Sequence, residues 1–214
     1  MLLCTLVALL LVVLGVGWLL THPLASSVGG ADDDLARWLA ARRTPGLSRV
    51  ADVGTLLGET PVGAGLLVLV GSVVGLVVRS WRPLLFVVVM YAGMGVVYFV
   101  ATHVDHRDRP PVRILDAGLV PDRSFPSGHV GTATAVALCT GLLLVAYRLV
   151  AARWLGVTMV LLAVVPLLTL SARLYQGAHH LTDVLTSVGY ATVWALVVAR
   201  QLLPGRLSPA RGRG

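Results

Sequence analysis

Apolar residues along this chain gather in long blocks, separated by short polar segments that hold nearly all the charge. Six blocks approach the roughly 20 residues that a helix needs to cross the hydrocarbon core of a bilayer. They run approximately from Leu2 to Leu20, Val62 to Val78, Leu84 to Ala101, Val130 to Tyr147, Trp154 to Leu170 and Val184 to Leu203. The pattern predicts an all-α, polytopic membrane bundle with six transmembrane helices, organised as a single domain over residues 1–214. The first block lacks the Arg or Lys that precedes the apolar core of a secretory leader, so a retained helix is expected there.

Residues 21–60 break the rhythm. In "ADDDLARWLAARRTPG", three aspartates precede Leu35, Trp38 and Leu39 at helical spacing, and arginines follow. This predicts an amphipathic helix over residues 31–46 lying along the membrane surface, with acids capping its positive end. Thr44-Pro45-Gly46 is expected to end it. The Arg-, Gly- and Pro-rich tail 204–214 reads as disordered.

Composition supports the membrane reading, with 57% hydrophobic and 13% charged residues. All 17 basic residues are arginine and the net charge is +7, but the arginines stand singly between apolar blocks. That spacing points to lipid headgroups and membrane orientation and excludes nucleic acid as a partner. The tail from Arg200 and the loops bearing Arg79 with Arg82 and Arg148 with Arg153 are short and free of acids, so they are assigned to the cytoplasm with both termini. The loops His103 to Ser127 and Arg173 to Asp183 then share the extracytoplasmic face. Cys4 and Cys139 have no spacing suited to a disulfide framework or a zinc site. Gly71 and Gly75 form a small-xxx-small pair assigned to packing within the chain.

Ionisable groups near membrane depth are expensive and usually functional. Three clusters hold them. In Thr102 to Arg113, "THVDHRDRPPVR", the residues His103, Asp105, His106 and Asp108 are metal-ligand types, but Arg107 and Arg109 among them oppose a cation. In Phe125 to His129, Ser127 and Gly128 leave backbone N–H groups free at a helix start opened by Pro126, an anion-binding arrangement that His129 can reach. Alone, the same residues fit equally a capped helix with a packed histidine. In Ser171 to Val184, His179 and Asp183 share a face if helical, and Arg173 offers a fork for phosphate oxygens. The pair alone fits a structural contact as well, and His180 is expected at the surface.

Jointly, Arg109-Pro110, then Pro126-Ser127-Gly128-His129, then Arg173 with His179 and Asp183 resemble the three signature motifs of the type 2 phosphatidic acid phosphatase (PAP2) superfamily. Order, spacing and placement between spans match over Leu84 to Leu203. The resemblance implies a metal-independent membrane lipid phosphatase or diphosphatase without cofactor, acting on phosphatidic acid, phosphatidylglycerol phosphate or a polyprenyl phosphate or diphosphate. His179 would be the nucleophile that becomes a phosphohistidine, with Asp183 orienting it and His129 serving as general acid and then base. Arg109, Arg173, Ser127 and Gly128 would cradle the phosphate. Two positions depart from the family pattern: Thr102 stands where a basic residue is usual, with Arg107 and Arg113 as the nearest candidate replacements and Arg107 the preferred one, and Ala172 replaces the serine before Arg173. The related vanadate-dependent haloperoxidases are soluble and larger, which six spans oppose. The alternative from another class is a non-catalytic lipid-phosphate-binding or transport protein that kept the pocket.

Overall fold

The computed structural model describes residues 1–204, so the tail expectation for 205–214 lies outside the described residues. Among the described residues eight helices follow in order: α1 (Leu2–Thr21), α2 (Val28–Ala40), α3 (Pro45–Leu56), α4 (Thr60–Val78), α5 (Arg82–Val104), α6 (Gly128–Ala146), α7 (Ala152–Tyr175) and α8 (Leu181–Leu202). Six of them, α1 and α4 to α8, are long and apolar enough to cross a membrane. The protein is a multi-pass membrane helical bundle.

Burial orders the six. In α6 some 56% of the spanning window is buried, in α8 44% and in α5 39%, against 11% in both α1 and α7. The first three form the centre and the last two present leucine and valine outward, as lipid-facing helices do. Lipid tails are as apolar as leucine, so these helices are held by close packing more than by apolar burial. Gly93 of α5 shows how: a Cβ there would lie 2.4 Å from the Trp194 ring of α8, whose Nε1 donates to the Met90 carbonyl at 3.0 Å. Gly71 likewise faces Val87 within the chain, where a Cβ would come within 2.7 Å of its side chain.

The segment between α1 and α4 departs from the sequence reading in two respects. Helix α2 begins at Val28, so Asp32, Asp33 and Asp34 occupy its second turn and cap nothing. Asp32 is buried instead. A second helix, α3, was missed: Thr44-Pro45 opens it, with Pro45 in the first turn and the Thr44 hydroxyl accepting from the Leu47 N–H at 3.2 Å. Proline at a first turn is compatible with a helix start, because its missing N–H has no intrahelical partner there.

The α2–α3 pair, the loop after α5 and the α7–α8 turn gather at one end of the bundle. Arg43 between α2 and α3 donates to the carbonyls of Tyr175 at 3.0 Å and Arg113 at 2.6 Å, fastening all three. At the opposite end, Gln201 Nε2 lies 3.8 Å from the Met1 sulfur, so the two ends of the described chain meet there.

Candidate active site

The loop after α5 is shaped by arginine. Arg109 donates from Nε to the Val120 carbonyl at 2.8 Å, from Nη2 to the Arg123 carbonyl at 3.0 Å, and from Nη1 to the Ala178 carbonyl. These three bonds lock its guanidinium between the loop and the α7–α8 turn and leave one N–H on each terminal nitrogen for a ligand. Burial lowers the Arg109 pKa, Arg173 lowers it further, and the charges of Asp183 and Asp116 oppose the shift.

Arg173 sits in the last turn of α7 and is wholly buried. Its Nη1 donates to Asp116 at 2.7 Å and to Gln176 at 3.1 Å. Its Nε and Nη2 are buried with no partner among the described residues. A buried donor without an acceptor is expensive, so these N–H groups mark a place for oxygen atoms. Helix α6 begins beside it: Ser127 is the N-cap, its hydroxyl accepting from the Val130 N–H, and Gly128 is the first helical residue. Pro126 therefore stands just outside the helix it was expected to open. His129 follows in the first turn, among the charges of Arg173, Asp116 and Arg109 and near the His179 ring. Gly58, after α3, packs on its backbone so closely that a Cβ would lie 2.8 Å from the His129 carbonyl oxygen.

His179 lies before α8, in the turn, so the expected helical spacing to Asp183 is not how the two meet. His180 is the N-cap and Asp183 the N3 residue of a capping box, its Oδ2 accepting from the His180 N–H at 2.8 Å. His179 Nδ1 is 2.6 Å from the Ser124 carbonyl and 3.8 Å from Asp183 Oδ2. A carbonyl accepts and cannot donate, so Nδ1 carries the proton and Nε2 keeps its lone pair. Burial holds the His179 pKa below its ordinary 6.5, against the pull of Asp183. The neutral imidazole with a free Nε2 is the nucleophilic form.

Asp183 is wholly buried. It accepts from Ser124 Oγ at 2.6 Å and from Arg107 Nη1 at 2.5 Å. Arg107 continues to Thr182 Oγ1 at 2.6 Å and to Asp32 of α2 at 2.9 Å. The guanidinium is thus committed between two buried carboxylates and lies behind the histidine. Thr102 is buried and donates to the Tyr98 and Phe99 carbonyls of its own helix at 3.0 and 3.1 Å. His180, expected at the surface, is buried, with Nε2 3.1 Å from Asp33.

Ser124, Asp32, Asp116 and Gln176 were not singled out by sequence. Gln176 accepts from Thr55 at 2.8 Å and donates to Asp52 at 3.1 Å, tying α3 to the turn below Arg173. One cavity, about 500 Å³, is walled by Arg107, Arg109, His180, Asp33, His106 and Asp108. A second, about 260 Å³, lies on the α5 side of Arg109.

Fold and site together describe a helical membrane protein that gathers buried arginine donors and a histidine with an uncommitted Nε2 at one end. The PAP2 superfamily model matches residues 82–205, more than half of the chain, and the chain belongs to that superfamily. Among solved structures, the chain is similar to the first transmembrane PAP2 type phosphatidylglycerolphosphate phosphatase from Bacillus subtilis, with a TM-score of 0.78 and 25% sequence identity over 90% of this chain and 93% of that one. Comparison with curated protein sequences returns no match.

Proposed function

We propose that the protein is a metal-independent lipid phosphatase or diphosphatase that works through a phosphohistidine on His179. The observation that carries this reading is the tautomer fixed by the Ser124 carbonyl, which leaves Nε2 of a buried, neutral His179 as the free base beside unpartnered arginine donors. The phosphate monoester takes the donors of Arg173 and Arg109 and the backbone N–H groups at the start of α6. His179 Nε2 attacks phosphorus, the bond to the leaving oxygen breaks, and protonated His129 gives that oxygen its proton. The dianionic phosphate beside His129 favours the imidazolium needed for this step. Water then attacks the phosphohistidine, His129 takes its proton, the N–P bond breaks and inorganic phosphate leaves. The guanidinium groups meet the charge that builds on the equatorial oxygens of the transition state.

Asp183 orients His179 through Ser124 and the turn, and Arg107 positions Asp183 without touching phosphate. Thr102 contributes a wall and no charge to the cradle. Phosphatidic acid, phosphatidylglycerol phosphate and polyprenyl phosphates or diphosphates are the substrate class, and the likeness to a phosphatidylglycerolphosphate phosphatase supports the second. The site faces the extracytoplasmic side and both termini the cytoplasm, a reading supported by the short acid-free arginine loops at the other end. The test is phosphate release by detergent-purified protein in EDTA from these lipids, beside His179→Ala. Turnover lost in the variant supports the reading, and turnover kept in the variant, or found only with added divalent metal, contradicts it.

A further inference from the structure

We infer that the cavity on the α5 side of Arg109 binds a second phosphate group of the substrate headgroup, so the preferred lipid carries two phosphates. The inference rests on the phosphatase reading and names its substrate class more narrowly. The cavity is about 260 Å³ and its lining includes Arg109, Arg123, His103, Thr102 and Tyr98, with no carboxylate among the lining residues. The larger cavity on the other side of Arg109 contains Asp33 and Asp108 beside its arginines, so charges of both signs share that wall. An anion is favoured where the charge is of one sign and the wall is partly withdrawn from water.

Arg123 is the group that neither the cradle nor the Asp183 network uses. Its Nε is buried without a partner, and its Nη1 lies 3.4 Å from His103 Nε2. His103 Nδ1 is 2.7 Å from the Phe99 carbonyl and so holds the proton, which leaves Nε2 to accept from Arg123 and prop it. Arg109 joins this cavity to the cradle, because the guanidinium lining it is locked to the carbonyls of Arg123 and Ala178, the residue before the nucleophile. Tyr98 is the other link: it lines the cavity and also a cleft of about 110 Å³ whose walls include Gly128, Thr60, Tyr91 and Tyr190. Because Tyr98 lines both spaces, a headgroup whose terminal phosphate sits at Gly128 would direct its next phosphate toward the Arg123 wall. A phosphate monoester joined directly to its lipid leaves that wall empty.

Binding of methylenediphosphonate and of methylphosphonate to the full chain, measured by calorimetry in detergent, tests the pocket without turnover. The wild type is expected to bind the diphosphonate about tenfold tighter, and Arg123→Gln to lose most of that gap, since charge-assisted bonds to Arg carry it. Equal affinities in the wild type overturn the inference, whether or not the variant folds. In turnover, kcat/KM for a polyprenyl diphosphate and for phosphatidylglycerol phosphate, each divided by that for phosphatidic acid, are compared in wild type and Arg123→Gln. A fall of about tenfold in either ratio supports the pocket, and the substrate whose ratio falls gives the spacing of the two phosphates. Two unchanged ratios overturn it. Silence of the wild type toward all three lipids removes the phosphatase reading instead, and the binding comparison still decides the pocket.

Discussion

Around Trp194 the bundle is closed by shape, and around Asp183 it is closed by charge. The first region brings α5 and α8 together because Gly93 offers no side chain, and its neighbours are apolar and mostly near in pattern if not in sequence. The second buries Asp32, Arg107, Asp183 and Ser124, which come from α2, the loop after α5 and the first turn of α8. Change in the first region should alter how firmly the helices hold together. In the second, the groups that stabilise the end of the bundle also aim the histidine, so stability and turnover should fail together.

The largest expected effect is that of His179→Ala, which removes the proposed nucleophile and should lower phosphate release by about a thousandfold or more. Its thermal unfolding midpoint should move little, so a matching loss of fold would contradict the assignment. Next comes Arg107→Met. It leaves two buried carboxylates without their cation, a change expected to destabilise by about 3–5 kcal/mol and to abolish most turnover. Adding Asp32→Asn to that variant should recover part of the stability, because one of the stranded charges is gone. A double-mutant cycle with no coupling would show that α2 does not bear on Asp183. Gly93→Ala is the control from the other region. Overpacking against Trp194 should cost about 1–3 kcal/mol in unfolding experiments, with kcat of the folded fraction kept.

The pH profile sharpens the contrast further. Burial holds the His179 pKa below 6.5, so Nε2 stays unprotonated on the acid side of neutrality, and the acid limb of kcat/KM assigned to His179 should fall below pH 6.5. The same shift weakens the fold in acid, since below 6.5 the unfolded chain takes up a proton that the folded chain refuses. Asp183→Asn should move the limb lower still, because the charge that raises the His179 value is lost. The smallest effect is expected from Asp116→Asn. Asp116 competes with phosphate for Arg173, so its neutral form should lower KM about threefold and leave kcat nearly unchanged.

The spans were legible because they rest on a local signal, and the residues of the proposed cradle stood out by signals of the same kind. Hydrophobic length sets a membrane helix, and Pro126 to His129, Arg109 and Arg173 stand in fixed order around those spans. What sequence did not give was pairing at a distance. Asp32 meets Arg107 from 75 positions away, and the run of three aspartates before an amphipathic stretch read naturally as a helix cap. His180 looked like a surface residue because the helix was assumed to include His179, whereas α8 starts two residues later and turns His180 inward as its cap. Helix α3 was lost to Thr44-Pro45-Gly46, a triplet that stops one helix and starts another. Thr102 drew attention as a departure from the family pattern, and its hydroxyl proves to be spent on its own helix.

The central claim is that phosphorus becomes bonded to His179. The most direct measurement is a rapid acid-free quench of the purified protein with a lipid carrying labelled terminal phosphate, followed by peptide mapping. Label that is stable in base, labile in acid, located on the peptide containing His179 and missing from His179→Ala is the expected result. Label on another residue, or steady phosphate release with no labelled peptide in the wild type at any quench time, would contradict it.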